Sequence, residues 1–123
     1  MKPEWITPEV VRLARRLNDA GYQKDIKEGD WYMVKGHWRP ALSTAEMGGA
    51  TVKQQGGGLI PIPTLTQCLD FIESKGFYAI SGTGDDYRYC RWKLPLYSFW
   101  KYQKAETRLE AAMLAVLKIL GGE

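Results

Sequence analysis

Apolar positions recur every three or four residues in three stretches of the chain and alternate in others, with polar or glycine-rich runs between them. The clearest helical stretch is the last, Thr107 to Leu120. Leu109, Ala112, Met113, Val116, Leu117 and Leu120 share one face, which predicts a helix with one broad apolar stripe. Thr107 followed by Glu110 spells a capping box, and Gly121 stands where a left-handed residue ends a helix. A helix this one-sided must dock on something, and the aromatic-rich segments before it are the candidates.

The same grammar predicts two more helices. Thr7 caps the first (Thr7–Ala20), with Pro8 at N1, Glu9 in the first turn, Ile6 placed to staple against Val11, and Gly21 as the stop. Val10, Leu13, Ala14 and Leu17 make its buried stripe, while Arg12, Arg15, Arg16 and Asp19 face water. Thr64 with Gln67 opens the other (Thr64–Lys75), whose stripe is Leu65, Cys68, Leu69 and Ile72, with Gly76 as the stop.

Strand patterns fill much of the remainder. Asp30–Lys35 reads as a strand, Gly36-His37 as a two-residue turn, and Trp38–Leu42 as the return, kept to an edge by Pro40. Leu59–Pro63 is a short extended segment. Phe77–Ser81, a Gly82–Asp86 loop, Tyr87–Lys93 and Tyr97–Tyr102 make a meander. The expected fold is therefore α+β: one antiparallel sheet, from residues 31–42 and 77–102, covered by helices 7–20, 64–75 and 107–120. Residues 1–123 are expected to form a single domain with a mobile Gly-rich loop at about 43–58, and Ala45-Glu46-Met47 is expected to make a helical turn within it. The expected core includes Leu13, Leu17, Leu69, Ile72, Ile80, Met113, Val116 and Leu117.

Composition narrows the function classes. The net charge of +3 comes from 17 cations against 14 anions, which is too balanced for a dedicated polyanion binder. Five tryptophans and seven tyrosines are many for 123 residues, and such rings fill cores, interfaces or stacking platforms. Met1–Trp5 leads straight into a helix cap with no apolar leader pattern, and no apolar run approaches a membrane span, so a cytoplasmic protein of the host cell is expected. Cys68 falls on an apolar helix face and Cys90 in a strand, so both are expected as buried, reduced thiols.

Ile62-Pro63-Thr64-Leu65 opening a helix, Gly76-Phe77 entering a strand, and Glu106-Thr107 opening a closing helix with Ala111-Ala112 and Leu114 resemble small phage and prophage proteins with a phage α/β/α-sandwich domain. The likeness covers roughly the second half of the chain, and Gly29-Asp30-Trp31-Tyr32 looks like the front part of related phage open reading frames. Arg108 stands where those proteins often carry proline, and the glycine-rich stretch before Leu59 has no counterpart. The resemblance implies a fold and a mobile-element origin; it brings no catalytic residues.

No catalytic, metal or cofactor constellation is legible. His37 is the sole histidine and its turn offers no partner, so an exposed turn residue is the plain reading. Cys68, Cys90 and His37 have no zinc spacing. Asp85-Asp86 and the nearby glycines suit a turn better than a cation or phosphate site. Ser43, Ser74, Ser81 and Ser98 lack a base. An enzyme would have to gather His37 with Asp85, Asp86 or Glu46 in one pocket, and it is not the expectation.

One stretch has functional colour: Tyr87 to Lys93, continued by Tyr97, Trp100, Lys101, Tyr102 and Lys104. Alternation puts Tyr87, Tyr89, Arg91 and Lys93 on one side and Arg88, Cys90, Trp92 and Leu94 on the other. The candidate binding surface is Tyr87, Tyr89, Arg91, Trp92, Lys93, Trp100 and Tyr102. A solvated sheet face stiffened by cross-strand pairs would look the same. As a recognition surface it suits another phage or host protein, or a second copy in a homo-oligomer. The alternative is single-stranded nucleic acid, stacked on rings and held by cations. No membrane partner is expected.

Overall fold

The computed structural model describes residues 4–22, 30–34, 37–40 and 59–121. It is an α+β chain of three helices and two small antiparallel sheets. By contact density it divides into two compact units, Met1–Pro63 and Thr64–Glu123, described in turn.

In the first unit, helix α1 (Pro8–Asp19) starts at Thr7, whose hydroxyl accepts from the Val10 amide at 3.2 Å. It stops at Ala20, with Gly21 at φ 99°. Its apolar stripe is buried as the spacing predicts, at Val10, Leu13, Ala14 and Leu17. The sheet has the order β2-β1-β3, from strands β1 (Trp31–Val34), β2 (His37–Pro40) and β3 (Leu59–Ile62). Trp31 pairs with Pro40 on one side and with Ile62 on the other. Prolines 40 and 61 thus sit in the flanking strands of this sheet, where proline is tolerated. Helix α1 packs on β3, and an Arg15 Nη donates to Met33 Sδ at 3.6 Å.

Two expectations change here. Val34 pairs with His37, so the two residues between the strands are 35 and 36, one earlier than Gly36-His37. The extended segment at Leu59 is a full strand, and it takes the second edge of β1. With both its edges paired, β1 cannot join the later meander, so two three-stranded sheets replace the single expected one. The Gly-rich stretch 43–58, with Glu46, lies outside the described residues.

The second unit runs helix α2 (Leu65–Ser74), strands β4 (Tyr78–Thr83), β5 (Arg88–Lys93) and β6 (Lys101–Ala105), then helix α3 (Arg108–Leu120). The Thr64 capping box is complete: its hydroxyl accepts from the Gln67 amide at 3.2 Å, and the Gln67 side chain accepts from the Thr64 amide at 2.9 Å. Thr107 likewise accepts from the Glu110 amide at 3.1 Å, and Gly121 ends α3 at φ 78°. The sheet is a meander, β4-β5-β6. Its first loop is tighter than expected, since the Gly84 amide donates to the Tyr87 carbonyl at 2.8 Å and only Asp85-Asp86 lie beyond. The third strand starts at Lys101, because the Pro95 break extends through a turn and bends to Trp100.

Helix α2 packs on β4 and on α3, and α3 spans all three strands. Covered on two sides, α3 buries Ala111 and Ala115 beyond its predicted stripe, and Glu110 with them. The small alanines let backbone and neighbour approach closely. Ile72, Met113, Val116 and Leu117 are in the core as expected, Leu69 is half-buried, and Ile80 is not in it: 38 % of its surface is exposed.

Thr64→Ala and Thr107→Ala should each lower the free energy of urea unfolding by about 1 kcal/mol, since each leaves a helix-start amide unpaired. Leu96→Ala, at a side chain 96 % exposed, should move it by less than about 0.5 kcal/mol.

Candidate functional site

Successive strand residues face opposite ways, and the burial along β5 shows which way each turns. Cys90 and Trp92 are 0 % and 2 % exposed, on the side where the helices pack, whereas Tyr89, Arg91 and Lys93 turn outward. Register extends that outer face over the whole sheet. Tyr78 lies opposite Lys93, Ile80 opposite Arg91, and Gly82 opposite Tyr89. On the other flank Tyr102 lies opposite Arg91 and Lys104 opposite Tyr89.

Of the residues grouped from sequence, Tyr87, Tyr89, Arg91, Lys93, Trp100 and Tyr102 come together on this face. Trp92 does not: it points inward and belongs to the core, as strict alternation along β5 requires. Tyr78 and Ile80 were not in the group. The signal for them was the pairing of β4 with β5, which carries each opposite residue to the same face.

The outer face is held as a lattice of rings and cations. Tyr89 lies 6.2 Å from Tyr87 and 5.8 Å from Tyr102, ring centre to ring centre, tilted 52° and 54°. Arg91 sits 4.6 Å from the Trp100 ring and 6.0 Å from that of Tyr89. Lys93 reaches the rings of Trp100 and Tyr78 at 5.4 and 5.9 Å, and Lys104 that of Tyr87 at 4.5 Å. Each contact sets a cation against the negative face of a ring. Among the described residues none of the three cations has a carboxylate partner, and the Arg91 Nε is buried without a hydrogen-bond acceptor.

Two glycines shape this lattice. A Cβ on Gly82 would stand 2.5 Å from Tyr89 Cζ, and one on Gly84 the same distance from Tyr87 Cζ. Each tyrosine therefore lies across bare backbone, shielding a strand position that has no side chain of its own.

Beyond the sheet edge, the connection between β5 and β6 exposes Leu96 at 96 %, Phe99 at 82 % and Tyr97 at 61 %. Phe77, Trp92, Lys101, Tyr102, Gln103, Lys118 and Ile119 line a cleft of about 510 Å³.

Asp85 and Asp86 are exposed at the hairpin tip, His37 is a backbone position in β2, and no group of three metal-ligating side chains occurs among the described residues. No described helix is long and apolar enough to cross a membrane. Cys68 and Cys90 are free and buried. Burial pushes the Cys90 thiol up from 9.0 to about 11 and raises Cys68 further, with Cys90 adding to the shift. The chain matches no family model, no curated protein and no solved structure.

Gly82→Val should displace the Tyr89 ring, seen as loss of the Tyr89–Tyr102 contact in NMR spectra of a chain that remains folded. The raised thiols give a second test. Between pH 9 and 11 the unfolded chain loses thiol protons that the folded chain keeps, so stability should be full below pH 9 and fall across that window. The fall should approach about 1.4 kcal/mol per pH unit for each thiol. A Cys68→Ala/Cys90→Ala variant, compared by urea titration, should lack that component.

Proposed function

We propose that this chain is a small, non-enzymatic accessory protein of phage or prophage type, acting in the host cytoplasm by binding a partner protein or a second copy of itself. The observation that carries the reading is the open sheet face of the second unit. It leaves Tyr78 53 % and Tyr102 49 % exposed around Ile80 and Arg91. Contiguous exposed rings and apolar side chains mark interaction sites, and Tyr, Trp and Arg dominate interface energetics. The phage attribution is supported by the likeness at Ile62–Leu65, Gly76-Phe77 and Glu106-Thr107 to α/β/α-sandwich phage proteins.

A second reading, single-stranded nucleic acid, is favoured by one observation. From Tyr87 to Ala105 the chain has five cations (Arg88, Arg91, Lys93, Lys101 and Lys104) and no carboxylate. Three of them lie on the rings of the open face, as a stacking platform with phosphate contacts would require.

Two measurements separate the readings. Peptides panned from a displayed library on the wild type should bind at least tenfold more weakly to a Tyr78→Ser/Ile80→Ser/Tyr102→Ser variant. A labelled oligothymidylate should show no salt-steep binding. If instead its affinity falls by about twentyfold between about 50 and 200 mM salt, the slope expected of three phosphate contacts, the nucleic-acid reading replaces the first.

A further inference from the structure

The charges on the outer face of the β4-β5-β6 sheet are of one sign. Arg91, Lys93 and Lys104 lie against its rings, and among the described residues none of the three is within ion-pair reach of a carboxylate. Register also gives the charge a direction. Asp85, Asp86 and Glu106 lie just past the end of the sheet where Thr83, Arg88 and Ala105 pair. Arg91 and Lys93 stand toward the other end, where Tyr78 pairs with Lys93. Positive potential is therefore concentrated beside Trp100.

The rings favour one kind of anion. Stacking a base needs bare ring surface. Here Trp100 has the Arg91 guanidinium at 4.6 Å and the Lys93 ammonium at 5.4 Å from its ring centre. Tyr87 has Lys104 at 4.5 Å and lies across Gly84, and Tyr89 lies across Gly82. Rings so engaged present charge more than a flat platform. Exposed Ile80 stands directly opposite Arg91, so aliphatic and cationic surface adjoin. A polypeptide can set both a carboxylate and an aliphatic side chain against that pair, and a polynucleotide has no aliphatic side chain to offer.

We infer that the open face takes an acidic, extended segment of a partner protein, with carboxylates at alternate positions meeting Arg91 and Lys93 and an aliphatic side chain beside Ile80. This rests on the partner-protein half of the reading above and names the chemistry of that partner. The spacing agrees. Arg91 and Lys93 are two residues apart on one strand face, about 6.6–6.8 Å, and alternate residues of any extended segment repeat at that same distance. Complementary charge also steers such a segment onto the right part of the face and disfavours basic ones.

Sequencing the peptides that a displayed random library yields on the full chain tests this. Asp and Glu should be enriched at alternate positions, with Val, Ile or Leu near them. A synthetic copy of the strongest binder, followed by fluorescence anisotropy, should lose about tenfold in affinity when its carboxylates are replaced by amides, as a few exposed ion pairs would give. That change leaves the protein untouched. On the protein side, Lys93→Gln/Lys104→Gln should weaken the acidic peptide and spare its amide copy, with unchanged circular dichroism. Arg91→Lys, which keeps the charge, should retain binding that Arg91→Gln loses.

Peptides that the Tyr78→Ser/Ile80→Ser/Tyr102→Ser variant loses, but that show no acidic enrichment, would overturn the inference and leave the partner-protein reading standing. An amide copy that binds as tightly as the acidic peptide would do the same. Recovery of no peptide that depends on the face would remove both. An oligothymidylate that displaces the acidic peptide and binds more tightly than it does would make nucleic acid the occupant, and the inference would fall with the first reading.

Discussion

Two helices packed on one face of a three-stranded sheet are the contact on which the second unit depends. Burying Cys90, Trp92, Ile72, Met113, Val116 and Leu117 in one layer concentrates the apolar surface between helices and strands. Each fully buried large side chain contributes about 1.5–3 kcal/mol. Within the second unit, a two-layer arrangement supplies no third element for the opposite face among the described residues. That face must meet water or a partner, and its residues answer to both: tyrosines with a polar end, and cations whose stems lie along rings.

The cation–ring contacts turn a set of exposed side chains into a defined surface. Each is worth about 0.5–1 kcal/mol at an exposed site, too little to hold the fold but enough to keep long side chains in place. Arg91 is the pivot, its guanidinium 4.6 Å from the Trp100 ring centre and 6.0 Å from that of Tyr89, and it stands opposite both Ile80 and Tyr102 across the strands. Stiff rings are economical recognition groups because little freedom is left to lose when a partner arrives. The uncharged turn at Leu96 continues the surface past the end of the sheet.

Local rules were legible in the sequence and pairing rules were not. Thr7, Thr64 and Thr107 as caps and Gly21, Gly76 and Gly121 as stops depend on a few neighbouring residues, so the letters alone locate them. Sheet partnership depends on distant segments. Nothing near Trp31 says that Leu59–Ile62 will take its free edge, and that one pairing divides the strands between two sheets. The face of Ile80 was misjudged for the same reason. An isoleucine in an apolar strand reads as core, yet its register with Arg91 turns it outward. Trp92 is the converse, inward by alternation although its neighbours Arg91 and Lys93 are part of the open face. Leu96 and Phe99 escaped notice because an apolar residue after a proline break carries no mark of its exposure.

Hydroxyl-radical footprinting of the dilute chain, read residue by residue by mass spectrometry, tests the one-sided cover most directly. The account predicts fast oxidation at Tyr78, Ile80, Phe99 and Tyr102, with Cys90, Trp92 and Met113 protected until the chain unfolds. Oxidation of Trp92 and Met113 in the folded chain at the rate of Phe99 would contradict it.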